Sequence, residues 1–253
     1  MTSLLHALTT PSTIALIGAS NNPARLTARP LLFLQQHGFA GKIYPVNPTR
    51  DTVQGLKAYP SVEAIPEPVE HAYVLVGTDQ VIAAVEDCAR AGVKVVCVLA
   101  DGFAEAGDTG RARQAQLVSI AEAAGMLLVG PNSMGVVDSR SGFTSTTNAA
   151  FKADKLQPGR LAVISQSGSL IGTLVSRGQA RGVAFATLIS VGNEAMVGVG
   201  EMGKTLLEDD GTDGFVLFME TIRNPQTLAD FARRAYAAGK PVVAYMIGKS
   251  NEG

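Results

Sequence analysis

Residues 160–172 read RLAVISQSGSLIG, and the fold is decided by how this stretch is read. Residues 161–164 form a short apolar run with β-branched members, which predicts a buried strand. Ser165, Gln166, Ser167, Gly168 and Ser169 then supply hydroxyls and a glycine, and residues 170–176 read as a helix. A strand that stops at small polar residues and turns into a helix leaves several backbone N–H groups unpaired at the positive end of the helix dipole. That arrangement attracts anions, and small side chains let a phosphate come close to the backbone. The same residues also fit a helix capped by one of its own serines. The two readings exclude each other, because each N–H serves only one strong acceptor.

A second turn of this kind sits near the start of the chain. The strand pattern of residues 13–17 ends in Gly18-Ala19-Ser20-Asn21-Asn22-Pro23. From there, strand patterns at 42–46, 72–76, 93–99 and 126–129 alternate with helical ones at 27–37, 80–91 and 110–124. Residues 48–68 carry four prolines and read as loop. After residue 160, further strands fall at 184–190, 214–219 and 241–246, with helices at 198–207 and 225–238. This alternation predicts α/β architecture with parallel sheets and right-handed crossovers. Between Ser139 and Gly159 the pattern lapses into Ser, Thr and Asn and then Lys-Ala-Asp-Lys, so the domain boundary is expected there, giving domains at 1–145 and 155–253. The last residues, with Lys249 among them, follow directly on a strand, which reads as an interrupted end.

Composition narrows the class. At 253 residues, 46% hydrophobic and 17% charged, the chain is long enough for two ordinary cores and too apolar for disorder. No apolar run approaches the roughly 18 residues of a membrane span, and the N-terminus lacks the charged and cleavage regions of an export signal. Cys88 and Cys97 fall in a helical and a strand pattern and read as buried hydrophobes, so no metal site and a reducing, cytoplasmic setting are expected. Met126, Met196, Met202 and Met219 read as core fillers. The net charge is −1, yet residues 1–60 hold Arg25, Arg29, Lys42, Arg50 and Lys57 against Asp51 alone. A basic first quarter beside glycine turns suggests an anionic, phosphate-bearing ligand. It is too sparse, and too poor in aromatics, for a nucleic-acid surface.

Open parallel sheets bind ligands at the carboxyl ends of their strands. An NAD site would need G-x-G-x-x-G after the first strand and an acid after the second. Here Gly18 has no second glycine in place, and Asn47-Pro48-Thr49-Arg50 stands where the acid belongs. Arg50 leaves NADP open, and equally an adenosine carrying a 3′-phosphate.

Taken together, IALIGASNNPAR (14–25), GFAGKIYPVNP (38–48), GLKAYPSV (55–62), GPNSMG (130–135) and AVISQSGSL (162–170) resemble the NDP-forming acyl-CoA synthetases. These are relatives of the succinyl-CoA synthetase α subunit and of ADP-forming acetyl-CoA synthetase, and the resemblance runs through the whole chain in order. It implies a Rossmann-like CoA-binding domain followed by a flavodoxin-like, succinyl-CoA-synthetase-like domain. The implied chemistry interconverts a carboxylic acid, CoA and ATP with acyl-CoA, ADP and phosphate through an acyl phosphate and a phosphohistidine.

The resemblance assigns Gly18, Ala19, Ser20 and Arg25 to the CoA loop and Val46, Asn47 and Pro48 to the adenine end. It assigns Gly77, Thr78, Asp101 and Gly102 to the loops along the pantetheine, and Pro131, Asn132 and Gly135 to the loop near the thiol. Ser165, Gln166, Ser167, Gly168 and Ser169 become the seat that receives the phosphorylated histidine, and Glu220 the acid that pairs with it. By themselves, Asn132 also fits a turn residue bonding its own backbone, and Glu220 a solvated acid at a strand end. The histidine itself has no match, because the chain holds only His6, His37 and His71, all early.

The expectation is therefore the CoA site and half a phosphate site of a larger enzyme, inactive alone. ATP and Mg would come through an ATP-grasp domain or β subunit, in a homo- or hetero-oligomer acting on a small carboxylic acid. Two other readings stand beside it: a non-enzymatic CoA-binding sensor or scaffold, and an NADP-dependent oxidoreductase.

Overall fold

A computed structural model describes residues 3–153 and 156–247. The strands are β1 (Thr13–Ile17), β2 (Lys42–Val46), β3 (Thr52–Val53), β4 (Leu56–Lys57), β5 (His71–Val74), β6 (Val95–Val98), β7 (Leu127–Val129), β8 (Gly135–Asp138), β9 (Phe143–Thr146), β10 (Pro158–Ser165), β11 (Phe185–Ser190), β12 (Gly214–Met219) and β13 (Val242–Met246). The helices are α1 (Leu4–Thr9), α2 (Arg29–Gln36), α3 (Thr78–Arg90), α4 (Asp108–Ala123), α5 (Gly168–Gln179), α6 (Val199–Leu207) and α7 (Pro225–Ala237). Asp154, Lys155 and the expectations for residues 248–253 lie outside the described residues.

The first sheet is parallel throughout, in the order β2-β1-β5-β6-β7, and forms a Rossmann-like unit. Both its faces are buried, because alternate side chains serve opposite layers. Ala15, Ile17, Ala72, Val74, Val96 and Val98 pack with Val81, Val85 and Cys88 of α3 and Leu117 and Ala121 of α4. Ile14, Leu16, Tyr73, Val95 and Cys97 face the other way.

The second sheet runs β13-β12-β10-β11, all parallel, and then continues into β8 and β9, which are antiparallel. Dropping the short hairpins, both parallel parts repeat one topology, with the opening strand (β1 or β10) between the second and third. Among the described residues, no helix is long and apolar enough to cross a membrane.

The chain leaves the first sheet earlier than its Ser/Thr-rich stretch suggests. Residues 135–146 form a hairpin, and β8 pairs with β11, so residues counted within a domain at 1–145 belong to the second sheet. Their polarity hides this role. Thr144, Ser145, Thr146, Thr147 and Asn148 are all buried, and several of their side chains take backbone partners: Thr146 Oγ1 donates to the Met134 carbonyl at 2.7 Å, and Asn148 Nδ2 to the Gly168 carbonyl at 2.8 Å. Satisfied in this way, hydroxyls are tolerated in an interior. One apolar cluster then runs from Ile14, Leu16 and Tyr73 through Val136 and Phe143 to Ile164, Ile189 and Phe215, joining the two sheets in one core.

Arg140 ties this hairpin to the loop after α6. Its guanidinium meets the fully buried Asp138 carboxylate at 2.6 Å and Asp209 at 2.8 Å. Thr187 Oγ1 donates a further bond to Asp138 at 2.9 Å. On the other side, Gly200 and Gly203 let α6 and α7 approach closely: a side chain at Gly203 would lie 2.7 Å from the Phe231 ring.

Candidate functional site

Two of the cavities at the carboxyl ends of the strands hold residues expected from the sequence. The first, of about 530 Å³, is lined by Gly18, Ala19, Ser20, Asn21, Asn22, Arg25, Thr27, Asn47 and Arg50. Gly18 takes φ +86°, a left-handed conformation that favours glycine. A side chain there would meet Val76 at 2.7 Å, so its smallness serves the packing of β1 against the β5 exit. The loop bonds mostly to itself. Gly18 N–H donates to the Val46 carbonyl at 3.0 Å, Ser20 N–H to that of Thr27 at 3.3 Å, and Asn22 N–H to Ser20 Oγ at 3.0 Å.

The first helical turn begins only at Leu26, eight residues beyond Gly18, and the positively charged side chains at this cavity are those of Arg25 and Arg50. The other basic residues of the first quarter have structural partners. Arg29 donates to the Thr147 carbonyl at 2.8 Å, Lys42 pairs with Glu67 at 2.6 Å, and Lys57 lies 5.0 Å from the Tyr59 ring centre. Val46 is buried in β2 and Pro48 is exposed beyond Asn47. Gln54, from the β3–β4 hairpin, was not legible as a site residue. Its Nε2 donates to the carbonyls of Ser20 at 2.8 Å and Ala28 at 2.9 Å, bracing the loop from below.

From this cavity, Gly77, Thr78, Asp101 and Gly102 follow along the edge of the first sheet. Thr78 Oγ1 donates to the Asp101 carbonyl at 2.9 Å, and Arg113 Nη1 to that of Gly102 at 2.7 Å. Beyond β7, Asn132 adopts φ +58° and its N–H donates to the Ala100 carbonyl at 2.9 Å. Pro131 is buried beside it. Gly135 lies inside β8, where a side chain would fall 2.0 Å from the Ser145 carbonyl oxygen, so this glycine is explained by strand packing.

The second cavity, of about 450 Å³, sits where the two sheets meet. The first sheet's exits contribute Glu105, Asn132 and Met134; the second contributes Gln166, Ser167, Gly168, Ser169, Gly192, Asn193, Glu220, Thr221 and Arg223. Ser167 occupies the N-cap position of α5 without a capping hydrogen bond from its side chain. Ser165 folds back instead, its Oγ accepting from Ser167 N–H at 3.1 Å and donating to the Ser167 carbonyl at 2.7 Å, and it is fully buried behind the cavity wall. Gln166 ties the two strand exits together: its Oε1 accepts from the N–H groups of Glu220 at 2.6 Å and Thr221 at 3.0 Å, and its Nε2 donates to the Thr221 carbonyl at 2.8 Å. Glu220 thus stands at the exit of β12 beside the start of α5, with its side chain exposed to the cavity. Met134 packs on Gly168, where a side chain would fall 2.3 Å from it.

Sequence reasoning missed Glu105 in this wall, and Glu194 in a neighbouring cavity that shares Thr221 and Arg223 with it. Glu194 holds φ +52°, its Oε1 accepts from Val199 N–H at the start of α6 at 3.0 Å, and its Oε2 lies 3.8 Å from Arg223 Nε. Burial pushes the Glu194 carboxyl up. At Glu105, burial also opposes ionisation, but backbone N–H groups and the Asn193 amide outweigh it and hold the carboxyl below the usual carboxylate range. Gly192-Asn193, just past the strand pattern at 184–190, carried no signal in the sequence. Among the described residues, no group of three His, Cys, Asp or Glu side chains is placed to hold a metal ion.

Residues 12–139 match a CoA binding domain, and residues 158–253 match a succinyl-CoA ligase like flavodoxin domain. The chain belongs to the family of NDP-forming acyl-CoA synthetases. Among its relatives is a trans-feruloyl-CoA synthase from an unknown prokaryotic organism, 36% identical over 98% of this chain and 35% of its own. The alpha subunit of ADP-forming acetate–CoA ligase I from Pyrococcus furiosus is 32% identical over 98% of this chain and 54% of its own. The solved structure of acetyl-coenzyme A synthetase 1 from Ca. Korarchaeum cryptofilum, in complex with phosphate and ADP, superposes with a TM-score of 0.91 at 31% identity, covering all of this chain and 53% of that one. The chain thus spans about a third to a half of the length of these synthetases, and corresponds to their N-terminal, CoA-binding part. Within that family frame, the three histidines stay away from both cavities. His71 is buried and its Nδ1 donates to the Ala7 carbonyl at 3.0 Å, His37 bonds the Phe151 carbonyl at 2.8 Å, and His6 lies 3.4 Å from Glu70.

Proposed function

We propose that this chain is the CoA-binding part of an NDP-forming acid–CoA ligase, holding CoA on the first sheet and a phosphoryl group on the second. The observation that carries the reading is the composition of the second cavity. It draws on loop ends from both sheets, so the end of a ligand lying along Gly18–Arg25, Thr78 and Asp101 arrives at Asn132, next to the start of α5. A thiol delivered there meets an anion site at a helix N-terminus. The reaction then follows from proximity. The sulfur attacks the carbonyl carbon of an acyl phosphate as its S–H bond breaks, the C–O bond to phosphate breaks, and phosphate takes up the thiol proton and leaves onto the N–H groups near Gly168 and Ser169.

In this reading Arg25 and Arg50 hold the phosphates of the nucleotide half of CoA, with Gly18, Ala19, Ser20, Val46, Asn47 and Pro48 shaping its seat. Gly77, Thr78, Asp101 and Gly102 guide the pantetheine, and Pro131 and Asn132 the thiol end. Glu220 accepts a hydrogen bond from an imidazole brought to the seat, orienting it and stabilising its cation. That histidine is supplied from outside residues 1–253, ATP and Mg come through an ATP-grasp domain or β subunit, and the acid is a small carboxylic acid. The isolated chain then binds CoA but forms no acyl-CoA. Titration calorimetry with CoA and with NADPH tests this, expecting micromolar CoA binding. NADPH binding without CoA binding would reverse the assignment in favour of an oxidoreductase.

A further inference from the structure

Glu105 and Asn193 face each other across the junction of the two sheets. Glu105 follows the loop at the exit of β6. Its Oε1 accepts from the N–H groups of Gly102 at 2.7 Å and Phe103 at 3.2 Å, so the carboxylate fixes the conformation of that loop. Its Oε2 accepts from Nδ2 of Asn193, which belongs to the exit of β11 in the other sheet. Asn193 is 9% exposed and saturated with partners. Its Nδ2 also donates to Gln114 Oε1 at 3.2 Å, its Oδ1 accepts from Asn132 Nδ2 at 3.5 Å, and its N–H donates to the Pro131 carbonyl at 2.9 Å. Gln114 Oε1 in turn accepts from Ala104 N–H at 3.3 Å. Gly192 makes the approach possible, since a side chain there would lie 2.2 Å from the Pro131 carbonyl oxygen.

We infer that Asn193 is a positioning residue for CoA: acting from the second sheet through Glu105, it sets the first-sheet loop of Asp101, Gly102 and Phe103 against which the pantetheine lies. The inference rests on the proposed function, and adds to it a residue outside the CoA-binding domain. Asn193 lines the phosphate cavity and does not line the nucleotide cavity. One amide therefore fixes the pantetheine loop, the Pro131–Asn132 turn and the wall opposite Gly168 in a single frame. A bond from an amide to a carboxylate is charge-assisted, so its loss from a mostly buried position is felt in both loops.

Calorimetry on the described chain separates the two halves of the ligand, using CoA and adenosine 3′,5′-bisphosphate as probes. Asn193→Ala is expected to weaken CoA about tenfold while changing adenosine 3′,5′-bisphosphate by less than about twofold. Glu105→Gln places an NH₂ against either the Asn193 amide or the loop N–H groups, and Asn193→Asp places two carboxylates together, so each alone weakens CoA. The Glu105→Gln, Asn193→Asp double variant restores the pairing at 105 and 193 with its polarity reversed: the introduced amide donates to the introduced carboxylate and accepts from Gly102 N–H, while Gln114 turns its own amide over to meet the carboxylate and gives up its bond from Ala104 N–H. It is expected to recover part of the lost CoA affinity. Equal weakening of both probes, unchanged CoA affinity in Asn193→Ala, or no recovery in the double variant would overturn the positioning role. A wild-type chain that binds adenosine 3′,5′-bisphosphate and CoA equally well would overturn it too, while leaving the nucleotide seat intact. Failure of the wild type to bind either probe removes the proposed function and this inference with it.

Discussion

The two glycine turns that open the two sheets start from the same topology and end as different sites. After β1 the chain runs through residues 18–25 before the first helical turn at Leu26. Its N–H groups bond largely within the loop and to Val46, and the charge at the cavity comes from the side chains of Arg25 and Arg50. After β10, α5 begins at Gly168, three residues beyond the strand, and its first turn faces the second cavity without a serine cap. In the proposed function, the distance between strand end and helix start thus decides whether an anion meets side-chain guanidinium groups or backbone dipoles. It also decides what each site depends on. The first is built within one domain and is sensitive to charge, whereas the second is assembled from both sheets and is sensitive to their packing.

The largest expected effect lies in that packing. Arg140→Ala leaves the fully buried Asp138 carboxylate without its guanidinium and is expected to cost about 3–5 kcal/mol, read by urea denaturation. Because one apolar core joins the sheets, both should unfold in a single transition. Two separate transitions, with the first cavity surviving the second sheet, would contradict the shared core.

His71 probes the same junction by pH. Its ring is buried, meets Phe143 of the second sheet at 5.1 Å between centroids, and has an unpartnered Nε2. Burial pushes its pKa down to about 4, against the backbone bond to Ala7, which favours the charged form. Between that value and the ordinary value of about 6.5, the unfolded chain carries a proton that the folded chain lacks. Stability is therefore expected to be level above pH 6.5 and to fall as the pH drops toward 4, by about 3 kcal/mol over the window. His71→Leu should remove that slope, and an unchanged slope would place the acid sensitivity elsewhere.

Smaller effects separate charge from architecture at the first cavity. Arg25→Ala and Arg50→Ala are each expected to weaken CoA about tenfold at low salt, and less at high salt, without altering stability. Lys42→Ala carries the same change of charge but sits with Glu67, and should leave CoA affinity unchanged. If the lysine variant weakens CoA equally, the effect is one of net charge and the placement of the arginines carries no weight. The mildest test is Gln54→Ala, which removes two bonds bracing the loop and is expected to reduce CoA affinity about threefold.

Much of this molecule was legible from local pattern. Apolar runs such as 13–17 and 214–219 coincide with β1 and β12, because a parallel strand buried on both faces is apolar at nearly every position. The helical patterns that end at 37, 91 and 238 were equally plain, since Gly38, Gly92 and Gly239 follow them and each takes a positive φ that favours glycine. The same local reading misled where polar residues were buried. The stretch 139–148 looked like a domain boundary and is an interior hairpin and turn, because the hydroxyls of Ser139, Thr144 and Thr146 donate to backbone carbonyls that no local pattern announces. Arg29, Lys42 and Lys57 looked like part of a basic ligand surface, and their partners lie from 2 to 118 positions away.

By itself, the sequence determined the α/β class, the order of the parallel strands and of the helices between them, the two glycine turns and the family to which they belong. Those features depend on neighbours along the chain: apolar periodicity, turn chemistry and short motifs. Tertiary structure alone decided which glycines shape a cavity and which make room for a strand. It also decided which basic residues remain at a cavity, and that Glu105 and Asn193, 88 positions apart, meet at the junction of the two sheets. Such pairings arise from the packing of the sheets against each other through one core, a long-range constraint that no window of the sequence contains.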